Sequence, residues 1–205
     1  MQITSSIFKT SEFPALANFS GYWGTIREEA LKLDDFAFPF ERLNLDHHEA
    51  LQKIAATGRN GWIKAWGQTK DKWLHYGFRY ENYLITQIVE DYSCPKIMSL
   101  VKQLKGVRIV ALSLLKPGAY ILPHTHPELK EDGLLTYHLG LSVPDNWHWL
   151  NIDGTFVQHQ EGQSFVFDGS QPHFAFNFSP TNRLILYIEF YKNHIGFNED
   201  FLELD

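Results

Sequence analysis

Apolar and polar positions recur with two different periods along the chain, and the period changes near residue 106. Before it, apolar residues recur at helical spacing, as in the segments that begin at Trp23 and after Cys94. From Gly106 onward, short apolar runs typical of strands are separated by turn residues, and Asp153-Gly154 is a hairpin signal. These runs cover residues 107–115, 119–122, 134–143, 147–152, 155–159, 164–167, 173–178 and 183–191.

About eight closely spaced strands predict a mainly β fold, a double-stranded β-helix of the jelly-roll or cupin type. We expect residues 106–195 to form this barrel, and residues 1–105 to supply helices packed outside it and irregular structure. The segment 60–92, rich in Trp and Tyr, predicts irregular structure with one or two strands. The 205 residues contain no internal repeat or linker, so a single domain, 1–205, is expected.

Composition and charge exclude several classes of function. A net charge of −6 argues against binding to nucleic acid, which needs a basic face. No run of 18 apolar residues exists, so we expect no membrane span. Cys94 is the only cysteine, and the N-terminus lacks the features of a signal peptide. We therefore expect a cytoplasmic location, no intrachain disulfide and a structural role for Cys94. The oligomeric state is not predicted.

Three histidines on strand-like sequence indicate a metal site inside the barrel. His124 and His126 are two residues apart, so on a strand their side chains share one face. His173 follows 49 residues after His124. Imidazole suits Fe, Zn, Cu or Ni, and a non-haem Fe(II) site usually takes two histidines and one carboxylate. Because His126 stands in the carboxylate position, three interpretations remain: three histidine ligands, two ligands with His126 turned away, or a different metal.

Arg183 lies ten residues after His173 and opens an apolar run. If residues 179–182 form a turn, Arg183 pairs across from Phe178, and His173 lies roughly 16 Å away at ~3.3 Å per residue. A five-carbon dicarboxylate would span most of that distance. Its far carboxylate would bind the guanidinium, and its near end would chelate the metal.

The remaining histidines give weaker signals. His148 stands between Trp147 and Trp149, and we expect it to point outward if the tryptophans face the core. Residues 47–48 are expected at the surface. No spacing signal marks His75, His159 and His194.

The order of these pieces resembles the aspartyl/asparaginyl β-hydroxylase family of Fe(II)/2-oxoglutarate dioxygenases. The segments that carry the resemblance are 112–118, 123–125, 138–141, 161–162, 167–170, His173 and Arg183. The resemblance implies that His124 and His173 bind iron. It also implies that 2-oxoglutarate is held by Ser113, His138 and Arg183.

Two positions depart from the family pattern. Members that act on peptidyl Asp or Asn carry Gly where this chain has His126, and a substrate-binding Arg where it has Thr136. The co-substrate site is thus retained, whereas the substrate contact at position 136 has changed. Residues 128–133 are an acidic insertion that we expect to form a substrate loop.

The sequence favours an Fe(II)/2-oxoglutarate dioxygenase that uses O2 to hydroxylate an unactivated C–H bond of a small amino-acid-like molecule or a peptide. A lipid substrate ranks lower. Two alternatives stay open: a three-histidine metalloenzyme of the cupin type that does not use 2-oxoglutarate, and a non-catalytic barrel that binds a ligand at its mouth.

Overall fold

The computed structural model of the protein describes residues 6–41, 45–65 and 70–198. Its helices are α1 (Pro14–Gly21), α2 (Trp23–Leu31), α3 (His47–Thr57), α4 (Pro95–Lys102) and α5 (Pro127–Glu131). Its strands are β1 (Ile7–Phe8), β2 (Ala37–Glu41), β3 (Trp62–Lys64), β4 (Trp73–Tyr80), β5 (Tyr83–Leu84), β6 (Leu104–Lys105), β7 (Val107–Leu115), β8 (Ala119–His124), β9 (Leu134–Ser142), β10 (His148–Ile152), β11 (Thr155–Val157), β12 (Ser164–Phe167), β13 (His173–Asn177), β14 (Arg183–Tyr191) and β15 (Gly196–Phe197).

Strands β7 to β14 form a double-stranded β-helix, as the sequence predicted. In the larger sheet the order is β12-β9-β14-β7, and in the smaller sheet it is β11-β10-β13-β8. Pairing among these eight strands is antiparallel. The chain crosses repeatedly between the sheets, so both contribute inward-facing side chains to one interior.

The N-terminal region contains more strand than the sequence predicted. Strands β4, β3 and β2 continue the larger sheet beyond β7, β5 pairs with β4, and β1 joins the opposite edge through β12. Three strands therefore lie within residues 60–92, where one or two were expected. Strand β4 escaped recognition because Gly77 lies inside it and no turn signal marks its start, although apolar residues alternate along it.

Helices cover the outer face of the larger sheet, as expected. The main core cluster joins helix residues such as Leu16, Ile26 and Ile97 to sheet residues such as Tyr137 and Ile188. The opposite face of the same sheet is left to line the barrel interior. Strands β6 and β15 form a separate two-stranded sheet.

The predicted pairing of Arg183 with Phe178 is wrong. Strand β13 belongs to the smaller sheet and β14 to the larger one, and Arg183 pairs with Leu115 of β7 instead. Residues 178–182 therefore carry the chain from one sheet to the other, and the distance along a shared hairpin does not apply.

The side chain of Asn177 organises this crossover. It is fully buried, and its amide nitrogen donates to the carbonyl oxygens of Leu115 and Thr181, both at 2.8 Å. Its oxygen accepts a hydrogen bond of 2.6 Å from Ser179 Oγ. These contacts fix the turn against β7, and β14 then begins with Arg183 facing the barrel interior.

Candidate metal centre and anion pocket

His124 and His173 meet on neighbouring strands at one end of the barrel. His124 ends β8 and His173 begins β13, and the two residues are direct partners in the antiparallel register. Their ring centroids are 4.2 Å apart. The cross-strand register thus brings together two residues that are far apart in sequence.

His126 joins them by a different route from the one predicted. Strand β8 ends at His124, so the strand period does not reach His126, which precedes the first residue of α5, Pro127. Its ring nevertheless lies 4.9 Å from that of His124 and 5.5 Å from that of His173. One nitrogen from each of the three rings lies within 4.8 Å of the others. The expected loop at residues 128–133 begins as helix α5.

In all three rings a hydrogen bond holds Nδ1 and leaves Nε2 free. Each Nδ1 contacts an oxygen: Leu122 O at 2.7 Å for His124, Gln171 O at 2.8 Å for His173 and Glu128 Oε1 at 3.1 Å for His126. A carbonyl or carboxylate oxygen only accepts, so Nδ1 carries the proton and Nε2 keeps its lone pair. This is the usual arrangement around metal-binding histidines, and the donor set fits a divalent transition metal.

Burial keeps two of these rings neutral. It lowers the pKa of His173 to about 4, and it also lowers the pKa of His126. Neutral imidazole is the form that binds metal, so both rings are competent ligands at neutral pH.

The seven residues singled out by the sequence border one cavity, which is partly open to solvent. They are His124, His126, His173, Ser113, Thr136, His138 and Arg183. The histidine triad and Arg183 approach this space from different ends of the strands that line it.

Arg183 is a buried cation without a counter-ion. Only 2% of the residue is exposed, and within the described part of the chain its Nε and Nη1 have no hydrogen-bond partner. Burial lowers its pKa to about 10, so the guanidinium remains charged at neutral pH. A buried unpaired charge is costly unless a ligand compensates it. The cavity therefore has an anion-binding end, and it fits a carboxylate.

Neutral histidines surround the anion-binding end of the cavity. The sequence identified His138 as a site residue but not His148 and His159. His138 Nδ1 lies 3.0 Å from His159 Nε2, and His148 Nε2 donates to the carbonyl oxygen of His159 at 3.2 Å. Burial, followed by the charge of Arg183, holds the pKa values of His138 and His159 well below their usual range. The outward orientation expected for His148 is wrong: it is 1% exposed, whereas Trp147 is 69% exposed.

A carboxylate on the cavity wall was also missed. Glu189 is 7% exposed and lines the cavity across from Thr136 in the strand register. The hydroxyl of Tyr187 donates to its Oε1, and Arg108 Nε lies 3.1 Å from its Oε2. The available signal was a single acidic residue inside the apolar run 184–190.

Comparison with known proteins identifies the class. The profile of the Aspartyl/Asparaginyl beta-hydroxylase family matches residues 21–193. The chain belongs to this family of hydroxylases, as the resemblance indicated.

An ornithine lipid ester-linked acyl 2-hydroxylase from Rhizobium tropici is 30% identical over 102 residues. The match covers 49% of this chain and 35% of the relative, so it spans about a third of that protein's length. No helix in the described residues is long and apolar enough to cross a membrane.

Solved structures with related shapes share little sequence. An oxidoreductase of the 2OG-Fe(II) oxygenase family from Burkholderia pseudomallei has a TM-score of 0.45 and 12% identity, covering 72% of this chain and 81% of that one. A predicted oxalate decarboxylase from Thermotoga maritima has a TM-score of 0.40 and 15% identity, covering 67% and 96%.

Proposed function

We propose that this protein is an Fe(II)/2-oxoglutarate-dependent dioxygenase that hydroxylates an unactivated C–H bond of an amino-acid-like small molecule or a peptide side chain. Membership of the hydroxylase family supports the reaction type. One observation carries the cofactor assignment: three histidines with free Nε2 lone pairs border the same cavity as a buried, unpaired arginine.

The histidines and Arg183 have separate tasks in this proposal. Nε2 of His124, His173 and His126 would hold Fe(II), which supplies activation of O2 when bound. Arg183 would bind the distal carboxylate of 2-oxoglutarate through Nε and Nη1, which have no hydrogen-bond partner within the described residues. Because that carboxylate satisfies a buried charge, it fixes the orientation of the co-substrate along the cavity.

Ser113 and His138 would flank the co-substrate between these two ends. Ser113 Oγ accepts a hydrogen bond of 3.1 Å from Trp73 Nε1, which leaves its proton available for a ligand oxygen. The neutral ring of His138 places no second positive charge beside Arg183. The aromatic walls of the cavity, including Phe167, exclude water from the reacting groups.

Calorimetric titration under nitrogen, first with Fe(II) and then with 2-oxoglutarate, tests these assignments. His124→Ala and His173→Ala should lose Fe(II) binding and, in air, succinate formation. Arg183→Met should bind Fe(II) normally but lose about 2–5 kcal/mol of 2-oxoglutarate affinity, a factor of roughly 30 or more. His48→Ala, at an exposed position, serves as the control.

Unchanged 2-oxoglutarate binding in Arg183→Met would remove the anion site from the proposal. Full turnover in either His124→Ala or His173→Ala would remove the metal centre.

A second candidate is a three-histidine dioxygenase that does not use 2-oxoglutarate. The position of the His126 ring, in contact distance of the other two, favours it. The uncompensated charge of Arg183 disfavours it, because this alternative lacks the 2-oxoglutarate carboxylate and would need a substrate that supplies an anion there. Fe(II) binding with substrate oxidation that is independent of 2-oxoglutarate would establish this alternative.

A further inference from the structure

Glu189 places a carboxylate in the half of the cavity that the co-substrate would leave free. It lies six residues after Arg183 on β14, which corresponds to ~20 Å along an extended strand. Both side chains line the cavity, so one wall carries a cation near one end and an anion near the other. The end of the cavity that holds Glu189 would repel a carboxylate, so it would bind a different group from the one that Arg183 binds.

The same register places Glu189 near the metal end. Across the larger sheet, Glu189 pairs with Thr136, and Thr136 pairs with Phe167. Two strand spacings amount to ~10 Å. The Phe167 ring in turn lies 5.9 Å from the ring of His173. Contacts through Thr136 and Phe167 thus connect Glu189 to the proposed iron ligands.

Arg108 does not fully neutralise this carboxylate. It faces three acidic groups, with Glu189 at 3.1 Å, Asp132 at 3.6 Å and Glu81 at 3.8 Å. Arg108 itself is not among the residues that line the cavity, whereas Glu189 is. A ligand in the cavity therefore meets the acidic partner of the pair.

One oxygen of Glu189 still has capacity to accept a hydrogen bond. Tyr187 donates to Oε1, and Oε2 is in ion-pair contact with Arg108 Nε at 3.1 Å. Within residues 6–41, 45–65 and 70–198, however, the buried Oε2 accepts no hydrogen bond. The facing residue, Thr136, is short and uncharged, so it supplies no counter-charge to the carboxylate. A buried acceptor in this condition calls for a donor from the ligand.

We propose that Glu189 binds a cationic group of the substrate, an ammonium or a guanidinium, and so selects a cationic substrate for hydroxylation. The inference rests on the proposed function and names the substrate class of the same site. A charge-assisted hydrogen bond to Oε2 would orient the substrate beside the metal end, while Arg183 holds the co-substrate at the other.

Binding of matched probes to the Fe(II)/2-oxoglutarate complex under nitrogen tests the proposal without turnover. The probes are L-lysine, L-norleucine and N-acetyl-L-norleucine, which carry two ammonium groups, one and none. We expect the wild type to bind a probe with an ammonium group at least tenfold more tightly than N-acetyl-L-norleucine. Glu189→Gln, which keeps size and removes charge, should abolish that preference. Glu131→Gln, at an exposed position outside the cavity, should preserve it.

A second pair of variants leaves Glu189 intact. Thr136→Lys would supply an internal cation opposite Glu189 and should remove the preference for ammonium probes. Thr136→Met, of similar length without charge, should retain it. Comparison of the two variants separates the effect of the added charge from the effect of the larger side chain.

The inference fails if Glu189→Gln keeps the wild-type preference, or if the uncharged probe binds the wild type as tightly as the others. If 2-oxoglutarate still binds with normal affinity, either result leaves the proposed function intact. Absence of 2-oxoglutarate binding in the wild type would instead overturn the proposed function and this inference with it.

Discussion

At the scale of single residues, the site is built from side chains that are unfavourable for folding. Within the described residues, buried Arg183 has two nitrogen atoms without a hydrogen bond, and buried Glu189 has one oxygen that contacts Arg108 without accepting a hydrogen bond. Burial raises the pKa of Glu189, while the charge of Arg108 opposes that rise. Groups of this kind persist where a ligand compensates them, which is why we assign them to binding rather than to stability.

This argument predicts opposite effects of one substitution on stability and binding. Arg183→Met removes an unpaired buried charge and keeps a long side chain, so the metal-free protein should gain about 1–3 kcal/mol in its free energy of unfolding. The same variant should lose 2-oxoglutarate binding. Urea denaturation compared with calorimetry measures both effects.

Arg59→Met is the matched control, because Arg59 pairs with Asp34 at an exposed position. Its free energy of unfolding should change by at most ~0.5 kcal/mol. A loss of stability in Arg183→Met as large as a typical core substitution would show that Arg183 has a structural role instead.

At the scale of elements, sequence patterns predict strands well where an apolar run is bounded by turn residues. Strand β7 and its successors in the barrel fall close to the predicted runs, and β9 and β14 do so although both of their faces are buried. Strand β4 was not recognised because Gly77 lies inside it and no turn signal marks its start, although apolar residues alternate along it.

Connections were harder to predict than strands. The crossover from β13 to β14 depends on contacts of Asn177 with Leu115, which lies 62 residues earlier. No spacing rule within residues 173–183 contains that information. The sequence singled out Arg183 because it is a charged residue in an apolar run. Only the structure shows which contacts place its side chain in the cavity.

Helix α5 is the element that positions the third histidine of the candidate metal centre. Pro127 opens it, and Glu128 in its first turn accepts a hydrogen bond from Nδ1 of His126. The strand period predicted that His126 lies beside His124, and it does, but not because both belong to one strand. The ring of His126 is placed by the start of a helix and by this carboxylate.

Removing that carboxylate should therefore loosen the metal centre. Glu128→Ala frees the His126 ring and should weaken Fe(II) affinity about 10- to 100-fold, the usual effect of losing a partner that orients a ligand. Glu131→Ala, on the same helix and exposed, should leave it unchanged. Anaerobic calorimetry with Fe(II) gives both values; equal affinities in the two variants would exclude His126 from the ligand set.

At the scale of the whole molecule, the barrel concentrates neutral histidines around a positive charge. His138, His148 and His159 gather near Arg183 from three separate segments of the chain. The sequence marked only His138, through the family resemblance, because the other two are brought in by the fold. Burial is the largest cause of the lowered pKa in all three.

These lowered pKa values link folding to pH. In the unfolded chain each ring takes up a proton near pH 6.5, whereas in the folded protein it stays neutral to lower pH. The unfolded state then binds more protons below pH 6.5, so the free energy of unfolding falls as the pH is lowered. Above that pH both states are neutral, and the effect vanishes.

His148 allows this effect to be measured at a position away from the proposed ligands. His148→Gln keeps a donor for the carbonyl of His159 but removes the titrating group. Between pH 7.5 and pH 5.5, the metal-free variant should lose about 1 kcal/mol less stability than the wild type. Urea denaturation at the two pH values gives the difference, and His48→Gln, at an exposed position, should follow the wild type. If His148→Gln loses as much stability as the wild type, folding does not lower the pKa of His148, and a larger loss in the variant would mean that folding raises it.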